Sequence, residues 1–140
     1  MSPVILHATT VALNQNAVLV TGRSGSGKSA LGLELMAFGC ELVADDRTIV
    51  TRRGDDLFVS CPPAIRNMIE ARGIGLLWAD ARQEAQLRLV VTLDTVTQER
   101  LPLPQETEIL AVRVPLVHKV ETASFAAAIL QYLKSGKRLA

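Results

Sequence analysis

Cysteine, aromatic residues, net charge and long apolar runs are all scarce in this chain of 140 residues, and each shortage narrows what it can be. The two cysteines, Cys40 and Cys61, sit in apolar, strand-like surroundings without C-x-x-C spacing, which reads as reduced core thiols of a cytosolic protein. A net charge of +1 leaves no electrostatic footprint for nucleic acid or an anionic membrane, so a protein partner would be met by local patches. MSPVILHATT has no basic residues ahead of its apolar run, so no signal peptide is expected. No apolar stretch is long enough to span a bilayer, and the expected location is cytoplasmic. Only 4% of the residues are aromatic although 49% are hydrophobic, and the length suits one domain with a sizeable core. No internal repeat or low-complexity linker divides the chain, so residues 1–140 are read as a single domain.

What is present is strand-rich. VILHATTVAL reads as one or two strands, with NQN turning the chain into the strand AVLV. Residues 28–38 form an amphipathic helix stopped by Gly39, and ELVADD is a short strand ending in two aspartates. TIVTRR and LFVSC flank a Gly-Asp-Asp turn and predict a hairpin. PPAIRNMIEARG starts with proline, has apolar residues at 65, 68 and 69, and predicts a short helix closed by Gly73. LRLVVTLD and EILAVRVPL predict two further strands joined by the loop LPLPQ. ETASFAAAILQYLKSGKR predicts a closing helix with Thr122 as N-cap and basic residues near its C-terminus. With strands outnumbering helices and several joined by hairpins, the fold class is α/β with a mixed sheet.

One stretch between a strand and a helix carries chemistry. Residues 21–29, TGRSGSGKS, fit G-x-x-x-x-G-K-[ST]. Gly22, Gly25 and Gly27 let successive N–H groups point into one concavity. Lys28 offers a compact cation to β/γ-phosphate oxygens, and Ser29 a hydroxyl to a magnesium ion bridging them. Arg23, Ser24 and Ser26 complete the loop, and the helix N-terminus adds unpaired N–H groups and partial positive charge. A flexible Gly/Ser linker is rarely wedged between an apolar strand and a helix.

A phosphate loop needs acidic partners before it can transfer a phosphoryl group. Asp45 and Asp46 end an apolar strand, with Asp46 18 positions after Lys28. If that strand runs parallel to the one before the loop, both finish at the same sheet edge. Neighbouring residues on an extended strand face opposite ways, so the two aspartates need not share a task. His7 alone reads as a core or edge residue of a strand, and Glu70 and Arg72 as an ordinary glycine-closed helix end.

LHATTVAL, VLVTGRSGSGKS, ELVADD, CPPAIRNMIEARGIGLL and QERL together resemble the catalytic domain of bacterial HPr kinase/phosphorylase, over about residues 5–115. The phosphate loop is unspecific, whereas its combination with VADD and then E-x-R-G-x-G is specific to that family. The resemblance implies a P-loop α/β kinase domain with a mixed sheet, similar to phosphoenolpyruvate carboxykinase. It implies ATP and Mg2+ as cofactors, with residues 22–29 binding the nucleotide and Ser29, Asp45 and Glu70 the metal. His7 matches an active-site histidine that pairs with Asp46, and Asp46 the group that takes the proton from a serine of the phosphocarrier protein HPr and returns one in reverse. Arg72, Gly73 and Gly75 match a loop used in both directions, and Arg100 matches an arginine stabilising the transferring group. In reverse, phosphate would attack phosphoserine and leave as pyrophosphate.

Longer members of the family carry a further N-terminal domain, and the chain resembles short single-domain forms met in α-proteobacteria. WADARQEAQ is shorter than the family's arginine-bearing loop, which puts the phosphorylase activity and a homo-oligomer in question but not the kinase direction. Two other classes stay open: a catalytically weak ATP-binding regulatory module of a phosphotransfer pathway, and a kinase or hydrolase with another acceptor.

Overall fold

In the computed structural model, which describes residues 1–136, 138 and 139, the strands that carry the phosphate loop come first. Strand β1 (Val4–Leu6) is followed by β2 (Ala8–Leu13), a turn, and β3 (Asn16–Thr21), which pairs antiparallel with β2. Asn14 makes the turn at φ 54, a left-handed conformation that asparagine tolerates. The loop then leads into helix α1 (Lys28–Ala37), and β4 (Glu41–Ala44) returns antiparallel to the other edge of β2. Strands β3 and β4 therefore run in the same direction with β2 between them. Both finish at the edge where the loop lies, as the sequence led us to expect, although they are not neighbours.

Strands β5 (Thr48–Arg53) and β6 (Asp56–Ser60) form the expected hairpin. Strands β7 (Met68–Ala71) and β8 (Gly75–Trp78) form a separate two-stranded sheet. The long strand β9 (Glu84–Val96) lies parallel to β3; its opposite edge takes β6 near its start and β11 (Val112–Lys119) near its end. Strand β10 (Gln105–Ile109) pairs with β11. The main path is β1-β5-β6-β9-β3-β2-β4.

Alternation along β3 separates two cores: Leu19 faces one, Val18 and Val20 the other. The second is covered by Leu31 and Leu35 of α1 and by Ala126, Ile129 and Leu133 of α2 (Phe125–Ser135). The first is closed by Val50, Leu57, Val59 and Val114, because the sheet curls back on itself. The buried hydroxyls of Thr10 on β2 and Thr48 on β5 meet at 2.9 Å across that fold. Burying Leu31 and Leu35 contributes about 3–6 kcal/mol, more than the roughly 1 kcal/mol a side-chain N-cap would add. Helix α1 can thus start at Gly27 without a capping side chain, leaving its first N–H groups for a ligand.

Three expectations need correction. Residues 62–73 are not a helix: after a 3-10 turn at Pro63–Ile65 the chain enters the β7–β8 hairpin. Asn67 at φ 60 breaks the helical path, and burial then alternates, with Ile69 and Ala71 inside and Glu70 outside. Residues 108–116 are not one strand, because Leu110 and Ala111 adopt φ 50 and 62 and form the tight turn between β10 and β11. Thr122 is not the N-cap of α2, a place taken by Ser124. Lys134 lies in the last turn of α2 as expected, and Lys137 falls outside the described residues. Both cysteines are free and buried, and burial pushes the Cys40 thiol up to about 11. No helix among the described residues is long and apolar enough to cross a membrane.

Candidate phosphoryl-transfer site

The loop at the end of β3 is shaped by its glycines and held by two anchors. Gly25 and Gly27 adopt φ 81 and 102, which side chains disfavour, and a Cβ on Gly22 would press to 3.1 Å from that of Ser26. Asp94, near the end of β9, accepts the N–H of Arg23 at 3.0 Å. Lys28 is a buried residue whose ammonium donates to the carbonyls of Gly22 at 2.9 Å and Arg23 at 3.3 Å. The buried Ser26 hydroxyl is the one buried side-chain polar atom without a partner among the described residues. A concavity of N–H groups with a cation and an uncommitted hydroxyl fits the polyphosphate of a nucleotide.

Asp45 is held from three elements. Its Oδ1 accepts the Thr9 hydroxyl of β2 at 2.8 Å and the Ser29 hydroxyl of α1 at 2.7 Å, and its Oδ2 accepts the Glu70 N–H of β7 at 2.9 Å. The residue is 9% exposed. The joined hydroxyl and carboxylate, with the Glu70 side chain on the same cleft, are hard oxygen donors. No group of three His, Cys, Asp or Glu side chains among the described residues could enclose a metal by itself. The oxygen donors of Ser29, Asp45 and Glu70 suit magnesium, which takes one or two carboxylates and completes its shell with phosphate and water.

Asp46 faces elsewhere. Its backbone is left-handed at φ 69, so the separation expected from strand alternation arises from a turn instead. Its Oδ1 lies 2.5 Å from His7 Nε2, and the two side chains remain 61% and 50% exposed. The His7–Asp46 pair, Lys28, Ser29, Asp45, Glu70 and Arg72 line one cleft of about 630 Å³. The Arg72 guanidinium reaches over the loop, 3.9 Å from where a Cβ on Gly25 would sit.

Arg100 is not brought to this cleft. It is exposed in the β9–β10 connection and lines a different, larger cavity of about 850 Å³ with Leu101, Leu103 and Phe125. The cation that overhangs the loop is Arg72. The sequence reading also missed Thr9 and Asp94. Neither carries a local signal, since Thr9 looks like any strand residue and meets Asp45 only across 36 positions.

The HPr Serine kinase C-terminal domain family matches residues 1–132. The chain is 38% identical over 133 residues to the HPr kinase/phosphorylase of Cupriavidus metallidurans, covering 86% of this chain and 41% of that protein. It is 40% identical over 113 residues to the HPr kinase/phosphorylase of Burkholderia lata, covering 73% and 35%. The chain therefore spans about two fifths of the length of the curated relatives it matches. The solved Hpr(Ser) kinase/phosphatase from Coxiella burnetii superposes with a TM-score of 0.76 at 23% identity, over 94% of both chains. That likeness carries the fold: the α/β phosphate-loop kinase class with a mixed sheet expected from the sequence.

Proposed function

Because the chain belongs to the HPr serine kinase C-terminal domain family, we propose that it transfers the γ-phosphoryl group of ATP to a serine of an HPr-type phosphocarrier protein. The observation that carries this is the His7–Asp46 pair on the same cleft as Lys28 and the Ser29–Asp45 pair. An exposed carboxylate oriented by an imidazole, beside a phosphate loop, is what a hydroxyl nucleophile needs.

Lys28 exchanges the carbonyls of Gly22 and Arg23 for β/γ-phosphate oxygens, and Arg72 closes over the group in transit. The serine oxygen bonds to the γ-phosphorus as the bond to the bridging oxygen breaks and ADP departs. Asp46 takes the hydroxyl proton while His7 holds the carboxylate in place. Ser29, Asp45 and Glu70 would hold magnesium, which when bound neutralises charge on the phosphate oxygens. In reverse, an oxygen of inorganic phosphate bonds to the phosphorus of phosphoserine as the bond to the serine oxygen breaks, the proton of the attacking phosphate passes through Asp46 to that serine oxygen, and pyrophosphate is the product.

We assign the reverse direction the weaker rate. Residues 78–86 offer a single lysine or arginine, Arg82, and its guanidinium is tied to Glu41 at 3.0 Å while its N–H bonds the Leu42 carbonyl. That segment thus brings no free cation to a phosphate lacking a nucleotide anchor. The test is incubation with an HPr-type protein and γ-labelled ATP, with phosphoserine-HPr and phosphate in parallel. Label on an HPr serine, with slower pyrophosphate release, is expected; ATP consumed without labelled HPr would overturn the assignment of acceptor.

A further inference from the structure

The phosphate loop has a second flank that the transfer chemistry does not use. There, on the far side of β3 from β2 and β4, the chain forms a cleft of about 410 Å³. Its walls are Leu93 near the end of β9, Lys119 at the end of β11, Glu121 in the following turn, Phe125 at the start of α2, and Glu34 on α1. Gly27 and Ala30 line both this cleft and the one holding Asp46, so the two meet over the first turn of α1.

The placement follows from topology. Strands β3, β9 and β11 are parallel, so their C-terminal ends converge on the edge where the loop sits, the edge at which open α/β sheets bind ligands. With Asp46, Asp45 and Ser29 on the β4 side, the reacting end of a triphosphate belongs on that side. The phosphate chain then leaves the loop across Gly27 and Ala30, which open into the second cleft. The larger cavity around Arg100 touches no residue of the loop and cannot take the first portion of whatever follows the phosphates.

The chemistry suits a nucleoside. The volume lies within the range of small-molecule sites. Leu93 and Phe125 are half-buried apolar walls for a flat base, Lys119 is a cation for the phosphate nearest the sugar, and Glu34 and Glu121 are exposed carboxylates able to accept ribose hydroxyls. We propose that the nucleoside half of the donor nucleotide occupies this cleft, its base against Leu93 and Phe125 and its ribose hydroxyls on Glu34 and Glu121. The proposal rests on ATP being the donor, as argued above.

Calorimetry with the whole chain and magnesium tests it using two probes, ATP and inorganic tripolyphosphate, which has no nucleoside. Ala123, exposed on the rim of the cleft, is replaced by the bulkier tryptophan. Ala123→Trp is expected to weaken ATP about tenfold or more, equivalent to about 1.4 kcal/mol, and to leave tripolyphosphate unchanged. An equal loss for both probes, or for neither, overturns the proposal. Should that variant fail to fold, Phe125→Trp in a Trp78→Phe background reports directly, since Trp78 is the chain's sole tryptophan. Its fluorescence is expected to change with ATP but not with tripolyphosphate, and a response to neither, or to both alike, overturns the proposal. Lys28→Ala separates this failure from that of the function itself: if it weakens neither probe, the loop is not the donor site.

Discussion

Asp45 and Asp46 are chain neighbours that belong to two different regions. Asp45 is nearly buried, with three donors from β2, α1 and β7 fixing both carboxylate oxygens. Asp46 is turned outward by its left-handed backbone, and its carboxylate is held by His7 in the open cleft. The buried carboxylate is fixed through both oxygens, which suits it to holding its neighbours in place. The exposed one has a single orienting partner and open space for an acceptor hydroxyl. The same residue type therefore sits in two different environments, set by burial and hydrogen bonding.

The sharpest way to break this division is Asp46→Asn. Transfer to HPr should slow by about a hundredfold to ten-thousandfold, the worth of a positioned base, while ATP binding and the urea midpoint stay near those of the parent chain. If Asp45→Asn instead abolishes proton transfer and Asp46→Asn remains active, the two tasks are reversed. Asp45→Ala should act on the fold as well. It strands the Thr9 and Ser29 hydroxyls and the Glu70 N–H, at a cost of about 2–4 kcal/mol, read as a lowered urea midpoint. An unchanged midpoint would show that the carboxylate is not a structural keystone.

A smaller effect is expected at Gly32, where α1 crosses β2. A Cβ there would lie 3.0 Å from the Thr9 methyl, so Gly32→Ala trades a helix-propensity gain of roughly 0.5–1 kcal/mol against overpacking of about 1–3 kcal/mol. Net destabilisation of about 1 kcal/mol should result, and a more stable Gly32→Ala protein would mean that Thr9 yields freely. An effect confined to alkaline pH concerns a buried group with no catalytic task. The folded Cys40 thiol titrates near 11 against an ordinary value of 9.0, because burial disfavours the thiolate. Between those values the unfolded chain has lost a proton that the folded chain keeps, so the thiol's contribution, complete below 9.0, declines as pH rises toward 11. Denaturation series across that range should show a shallower decline for Cys40→Ala than for the parent chain.

How far the sequence spoke for itself depended on whether its signals were local. The phosphate loop, the strand before it, the β5–β6 hairpin and the paired aspartates are written in contiguous residues, and all were legible. Residues 62–73 were misread because Ile65, Met68 and Ile69 mimic helical spacing, whereas the partner that makes β7 a strand is β8, beyond the glycines. The Leu110–Ala111 turn has no glycine to announce its left-handed backbone. Arg100 was assigned by resemblance alone, and no local pattern could show that the β9–β10 connection carries it toward another cavity. Thr9 was invisible because its meaning lies in contacts with distant residues.

Thr9 does three things with two small groups. Its hydroxyl donates to Asp45 and accepts the N–H of Asp46, while its methyl presses toward Gly32 of α1. Serine would keep the first group and lose the second; valine would do the reverse. In terms of mutational tolerance, position 9 asks for a hydroxyl and a methyl on one small side chain, although the residue need touch neither nucleotide nor acceptor. A saturation library scored for transfer should therefore rank threonine first here, with serine and valine each retaining part of the activity.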